Sequence, residues 1–277
     1  MLVRRGFVNT IRFGKLLAIT LAALVMPAGA SAHVSYMLPN FFSLTDGRMV
    51  TITSSFAEKM FNPEVVVTSQ DWHLLRPDGK RDTFDKITSF AQVTVLESDI
   101  AQPGTYRFTT GERLGRFSTI ARVKDAWVTV NPEDPNAKVP AGATETSRSQ
   151  TATVADVYFT KGKPTRTAVD AAPVGRLAIT PVTHPNAIFM DEGFDLAVSY
   201  GGKPLPNFEL ILYRQDGAYD EKPFEQFHKT DAAGKLKLKF GRPGVYLIMG
   251  RHMGDSPAGA QTPYRSYTTS LTFEVTR

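Results

Sequence analysis

The sequence predicts an all-β protein, and three observations carry that prediction. Short apolar runs alternate with polar residues at period two. The 18 prolines and 21 glycines break these runs at short intervals. No run keeps the 3.6-residue period of an amphipathic helix.

Ahead of the β-rich chain, residues 1–32 read as an export signal. Arg4, Arg5, Arg12 and Lys15 stand before an apolar run from Leu16 to Met26, and Ala30-Ser31-Ala32 is an A-x-A cleavage site. Cleavage there exposes His33; cleavage after Ala28-Gly29-Ala30 would expose Ser31 instead. The apolar run is too short to span a bilayer, which takes ~20 residues, and no later run is long enough.

Residues 33–131 form the first β-rich half. Met49 to Phe56 reads as a strand, as does Trp72 to Arg76, which ends in the turn Pro77-Asp78-Gly79. Phe90 to Leu96 alternates, and Pro103-Gly104 opens a strand over Thr105 to Thr109. Residues 132–175 are linker and crossover: Asn131 to Asn136 is polar and Pro-rich, and Ala141 to Gln150 is small and hydrophilic. Thr151 to Thr160 then alternates, as a crossing strand. Residues 176–277 are the second half. Leu177 to Thr180 and Phe194 to Tyr200 are strands, the latter ending at Gly201-Gly202. Leu236, Leu238 and Phe240 share one face of another, with lysines on the other face. Pro243-Gly244-Val245-Tyr246 opens a further strand and echoes Pro103-Gly104-Thr105-Tyr106, as in two distant duplicates.

Composition excludes several functions. Four of the 32 basic residues lie in the signal, so the rest of the chain is almost neutral against 27 acidic residues. No electrostatic footprint for nucleic acid or an anionic membrane remains. With no cysteine, thiolate metal sites, thiol catalysis and iron–sulfur clusters are excluded. Serine and histidine occur without a nucleophile elbow, so hydrolase chemistry finds no support.

The chemistry-bearing residues are five histidines, none in an HxH or HExxH pair. A chain-terminal His33 would offer its α-amine and ring Nδ1 to one metal ion, and a third nitrogen would complete a planar set suited to Cu(II) or Ni(II). His252 is the best third ligand, past a strand starting at Val245, with Met253 and Asp255 near it. His184 is either a further ligand or a turn residue bonding backbone. His73 reads as a strand-surface residue and His228 as a loop residue. Glu58, Glu64 and Asp71 form a scattered acidic group, and Asp191-Glu192 a turn pair. Phe41-Phe42, Phe56, Met60 and Phe61 read as core.

The order of turn, strand, "TDxxG" turn (Thr230 to Gly234), alternating strand and "PGxY" strand resembles carboxypeptidase-regulatory or transthyretin-like domains, which implies Ig-like sandwiches. The start at His33, "ADVYFTKGKPT" (Ala155 to Thr165), "PVTHPN" (Pro181 to Asn186), "GKPLPN" (Gly202 to Asn207) and "GRHM…SLTFEV" (Gly250 to Val275) together resemble the exported domain-of-unknown-function 4198 family. That family is described as nickel or cobalt uptake-associated periplasmic proteins, and the resemblance covers most of the chain beyond residue 32. It implies two Ig-like sandwiches, a periplasmic location, and His33 and His252-Met253 at matching positions. The leading expectation is a non-enzymatic protein that binds nickel, cobalt or copper through His33, His252 and His184 and serves uptake or delivery to a membrane transporter. The alternative is an envelope adaptor for an outer-membrane receptor; a copper histidine-brace oxidase is a third reading.

Overall fold

The computed structural model describes residues 33–130, 136–215 and 223–277. The export signal and the first residues of the linker lie outside the described residues. The described chain is all-β, and among these residues no helix is long and apolar enough to cross a membrane.

Three sheets build the molecule. The largest has 11 strands and is centred on the long strand Ala143–Lys161. On one side this strand runs parallel to Tyr264–Val275, which pairs in turn with Gly244–Asp255, then Glu209–Arg214, then the edge strand Glu225–Lys229. On its other side lie Gly104–Thr109 along one stretch and the hairpin arm Arg113–Val123 along another. A second sheet contains Val34–Pro39, Met49–Ala57, Thr94–Asp99 and Lys86–Ser89. A third contains Leu177–Pro181, Phe194–Tyr200, Lys203–Pro204 and Lys235–Leu238.

The two smaller sheets cover opposite faces of the large one, and alternation along the central strand explains how. Ala155, Val157 and Phe159 join one core with Val50, Ile52 and Leu96. Ala152 and Tyr158 join the other with Phe194, Leu196 and Val198. Side chains two apart share a face, so one strand serves two cores. The two sandwiches therefore share the central sheet. Residues 141–150, read above as linker, supply the opening turn and the first eight residues of this central strand. There they pair backbone with Arg113–Val123 and leave most side chains in water, so the ladder forms without an apolar pattern.

The two halves repeat one device. Tyr106 donates its hydroxyl to the Gln102 carbonyl at 2.7 Å, and Tyr246 donates to the Arg242 carbonyl at 2.7 Å. Each tyrosine is buried and stands two residues past a Pro-Gly whose glycine has positive φ, 124° and 146°. This is the bonding pattern of a tyrosine corner.

Candidate functional site

His33 precedes the strand Val34–Pro39, which pairs antiparallel with Met49–Ala57. Val34 faces Ala57, so the register sets His33 level with Glu58. Past Ala57 the chain turns back on itself. Phe61 takes the left-handed backbone (φ 67°), and its ring meets Tyr36 edge-on at 5.3 Å. This turn returns Glu64 to the histidine.

Glu64 serves two partners. Its Oε1 accepts the amides of Glu58 and Lys59 at 3.2 and 3.3 Å, which closes the turn. Its Oε2 lies 3.1 Å from His33 Nε2, while Glu58 Oε1 lies 3.9 Å from Nδ1. An ionised carboxylate only accepts, so in the neutral ring the hydrogen sits on Nε2 and the Nδ1 lone pair turns towards Glu58. Burial, and secondly the charge of Glu64, push the Tyr36 hydroxyl up to about 12. Sequence reasoning treated Glu58 and Glu64 as scattered. The signal that joins them is strand pairing between residues 34–39 and 49–57. Asp71 stands apart, bonded to Arg81, and Asp191 and Glu192 are exposed at their turn.

The structure does not bring the three expected histidine ligands together. His252 lies inside Gly244–Asp255 rather than beyond a strand end. On that strand Leu247 and Met249 pack with Val34 and Tyr36, while Tyr246 and Ile248 face the other core. His252 shares the parity of Tyr246 and lies against Tyr200 and Phe208, ring centres 4.4 and 6.2 Å away. It therefore points away from the face that carries the N-terminal strand.

His184 is a turn residue with both ring nitrogens engaged. Nδ1 accepts the Asn186 amide at 3.1 Å; Nε2 lies 3.1 Å from the Thr165 carbonyl and 3.0 Å from the Thr105 hydroxyl. The same network reaches Thr160 on the central strand through Thr105. His73 is buried, not on a strand surface: it pairs with Thr109, and its Nδ1 donates to the Asp71 carbonyl at 2.7 Å. His228 lies in the edge strand Glu225–Lys229, not a loop, with Nε2 buried and without a partner among the described residues. Among the described residues no three His, Asp or Glu side chains close on a single point as they stand. The two carboxylates at His33 address opposite nitrogens of one ring.

Burial lowers the pKa of His184, His228 and His252, with the Arg166 charge adding to the effect at His184. A lowered folded value means the native state prefers the neutral ring. The stability it contributes is complete above the unfolded value near ~6.5 and is lost as pH falls through the window below it. Urea midpoints are expected to drop between pH 7.5 and 5, and His184→Gln is expected to flatten part of that drop. An unchanged midpoint over this range would contradict the assignment.

A family model described as "Domain of unknown function (DUF4198)" matches residues 30–254. No curated protein matches the chain. Among solved structures, the D0-D1 domain of intimin is 16% identical over 86% of this chain and 96% of its own, with TM-score 0.22. A DUF4785 family protein from Legionella pneumophila is 9% identical over 77% of this chain and 50% of its own, with TM-score 0.24. The adhesin InvE of Yersinia pseudotuberculosis is 14% identical over 88% and 58%, with TM-score 0.20.

Proposed function

The chain belongs to the DUF4198 family, and from that premise we propose that it is an exported, non-enzymatic protein that binds a divalent transition metal at a chain end created by cleavage after Ala32. The observation that carries this reading is the pair of carboxylates on the His33 ring: Glu64 holds Nε2, and Nδ1 is left facing Glu58. A carboxylate on the far nitrogen is how metal-binding imidazoles are oriented and made more basic.

The donor set would be the His33 α-amine, His33 Nδ1 and the Glu58 carboxylate, with Glu64 as the orienting group. Amine and Nδ1 belong to one residue and close a chelate ring. Two ligands at about 2.0–2.2 Å on one ion stand ~3–3.6 Å apart, so the 3.9 Å between Nδ1 and Glu58 Oε1 has to close by a few tenths of an ångström on binding. Two nitrogens and a carboxylate suit Ni(II), Co(II) and Cu(II). Uptake, or delivery to a membrane transporter, in the periplasm is the role that follows from this reading.

Titration of protein beginning at His33 with each metal tests it. Binding tighter than micromolar is expected, with proton release from the amine. Glu64→Gln should weaken it about 10- to 100-fold, while His184→Ala and His252→Ala leave it unchanged. No binding tighter than micromolar, or binding unaltered in His33→Ala, removes the proposal.

A further inference from the structure

Arg113, Thr153, Thr268 and Arg251 stand directly opposite one another across four adjacent strands of the large sheet. Opposed residues point to the same face, so two threonines lie between two arginines. With strands about 4.8 Å apart, the outer Cα atoms are roughly 14 Å apart. Arg251 Nε donates to the Thr268 hydroxyl at 3.2 Å, so its side chain reaches inward along the row. Arg113 donates Nε to the Thr68 carbonyl at 2.7 Å and lies 5.0 Å from the centre of the Phe56 ring.

The neighbouring row, Ala155–Ser270–Met249, is roofed by the N-terminal strand: Ser270 donates its hydroxyl to the Ser35 carbonyl at 2.6 Å. Val34 and Tyr36 pack in one cluster with Leu247 and Met249, and Leu38 and Val245 both border that cluster. The strand therefore runs back along Gly244–Asp255, and its first residues head towards Arg251. The arginine row opens beside His33.

Neither guanidinium has a carboxylate partner among the described residues. Glu225, on the neighbouring edge strand, instead accepts a hydrogen bond from Tyr213 at 3.4 Å. Desolvation lowers the pKa of the half-buried Arg113. Arg113 is half-buried and Arg251 exposed, so two guanidiniums with no carboxylate among the described residues flank two buried threonines, an arrangement suited to an anion.

We infer that the Arg113–Thr153–Thr268–Arg251 row binds a small oxyanion, carboxylate or phosphate, beside the chain end. Each guanidinium fork offers paired donors to a planar or tetrahedral oxyanion, and a threonine hydroxyl supplies a third. The inference does not need the metal reading, since the row and the His33 carboxylates share no residue.

Calorimetric titration of the metal-stripped chain starting at His33 tests it, with citrate and inorganic phosphate in separate runs at constant ionic strength. One-to-one saturable binding is expected; citrate alone assigns a carboxylate ligand, and phosphate alone a phosphate. Arg113→Gln and Arg251→Gln should each weaken it about tenfold, and His33→Ala should leave it unchanged. Arg113→Lys and Arg251→Lys keep the charge for folding but break the fork, and should weaken binding less. Circular dichroism checks that each variant is folded. No saturable binding at millimolar anion, or wild-type affinity in the folded arginine variants, overturns the inference. Loss of metal binding with retained anion binding would fail only the metal proposal.

Discussion

Asp156→Ala is expected to destabilise the protein by about 3–5 kcal/mol, a large fraction of a typical ~5–15 kcal/mol fold. Asp156 lies on the central strand and bonds Arg107 on Gly104–Thr109, with both side chains nearly fully buried (7% and 3% exposed). Arg107 also donates to the Ala172 carbonyl at 3.1 Å, so the pair ties the 166–172 segment to the sheet. Burial by itself would lower the guanidinium pKa, but Asp156, and secondly Tyr158, hold it above its ordinary value. Removing the acid leaves that charge buried and unpaired, which costs far more than the pair's own net contribution. The paired replacement Arg107→Met with Asp156→Leu removes both charges and should recover most of the loss. Urea unfolding monitored by tryptophan fluorescence measures both. A loss under ~1 kcal/mol for Asp156→Ala would show the pair to be solvated in practice.

A single glycine inserted before His33 is expected to abolish tight metal binding while leaving the fold unchanged. The insertion turns the α-amine into an amide, which is no longer a basic donor, and opens the chelate ring. The imidazole, Glu58 and Glu64 stay where strand pairing and the turn hold them. The expected loss is at least 100-fold, since an amine donor and its chelate ring go together. Unfolding midpoints should match the wild type, because Ser35 and Val34 keep their contacts with Ser270 and the Leu247–Met249 cluster. Unchanged affinity in the inserted chain would place any bound metal away from the chain end. Mass spectrometry of the exported protein tests the companion expectation that His33 is the first residue, and a mass that begins at Ser31 would count against it.

Much of the fold can be read along the chain because strand patterning is local. Phe194 to Tyr200 forms as its alternation predicts, and the two Pro-Gly-x-Tyr segments open matching strands. Local pattern fails where a strand forms for a partner rather than for a core. Residues 143–150 are polar because hydrogen bonding to Arg113–Val123 leaves them mostly in water, and composition there reads as linker. His73 fails for the opposite reason: it is buried in a strand paired with Gly104–Thr109, and that pairing cannot be read from its local sequence.

For the candidate site, the chain by itself singled out His33 through the cleavage pattern before it, and excluded thiol chemistry by lacking cysteine. It did not choose the partners of that histidine. Strand register placed Glu58 beside it, a tight turn returned Glu64, and the parity of Gly244–Asp255 sent His252 to the opposite face. Residue type and local spacing are properties of a linear polymer. Which donors converge is decided by pairing register and by which side of a sheet each residue faces, and a shift of one residue reverses both.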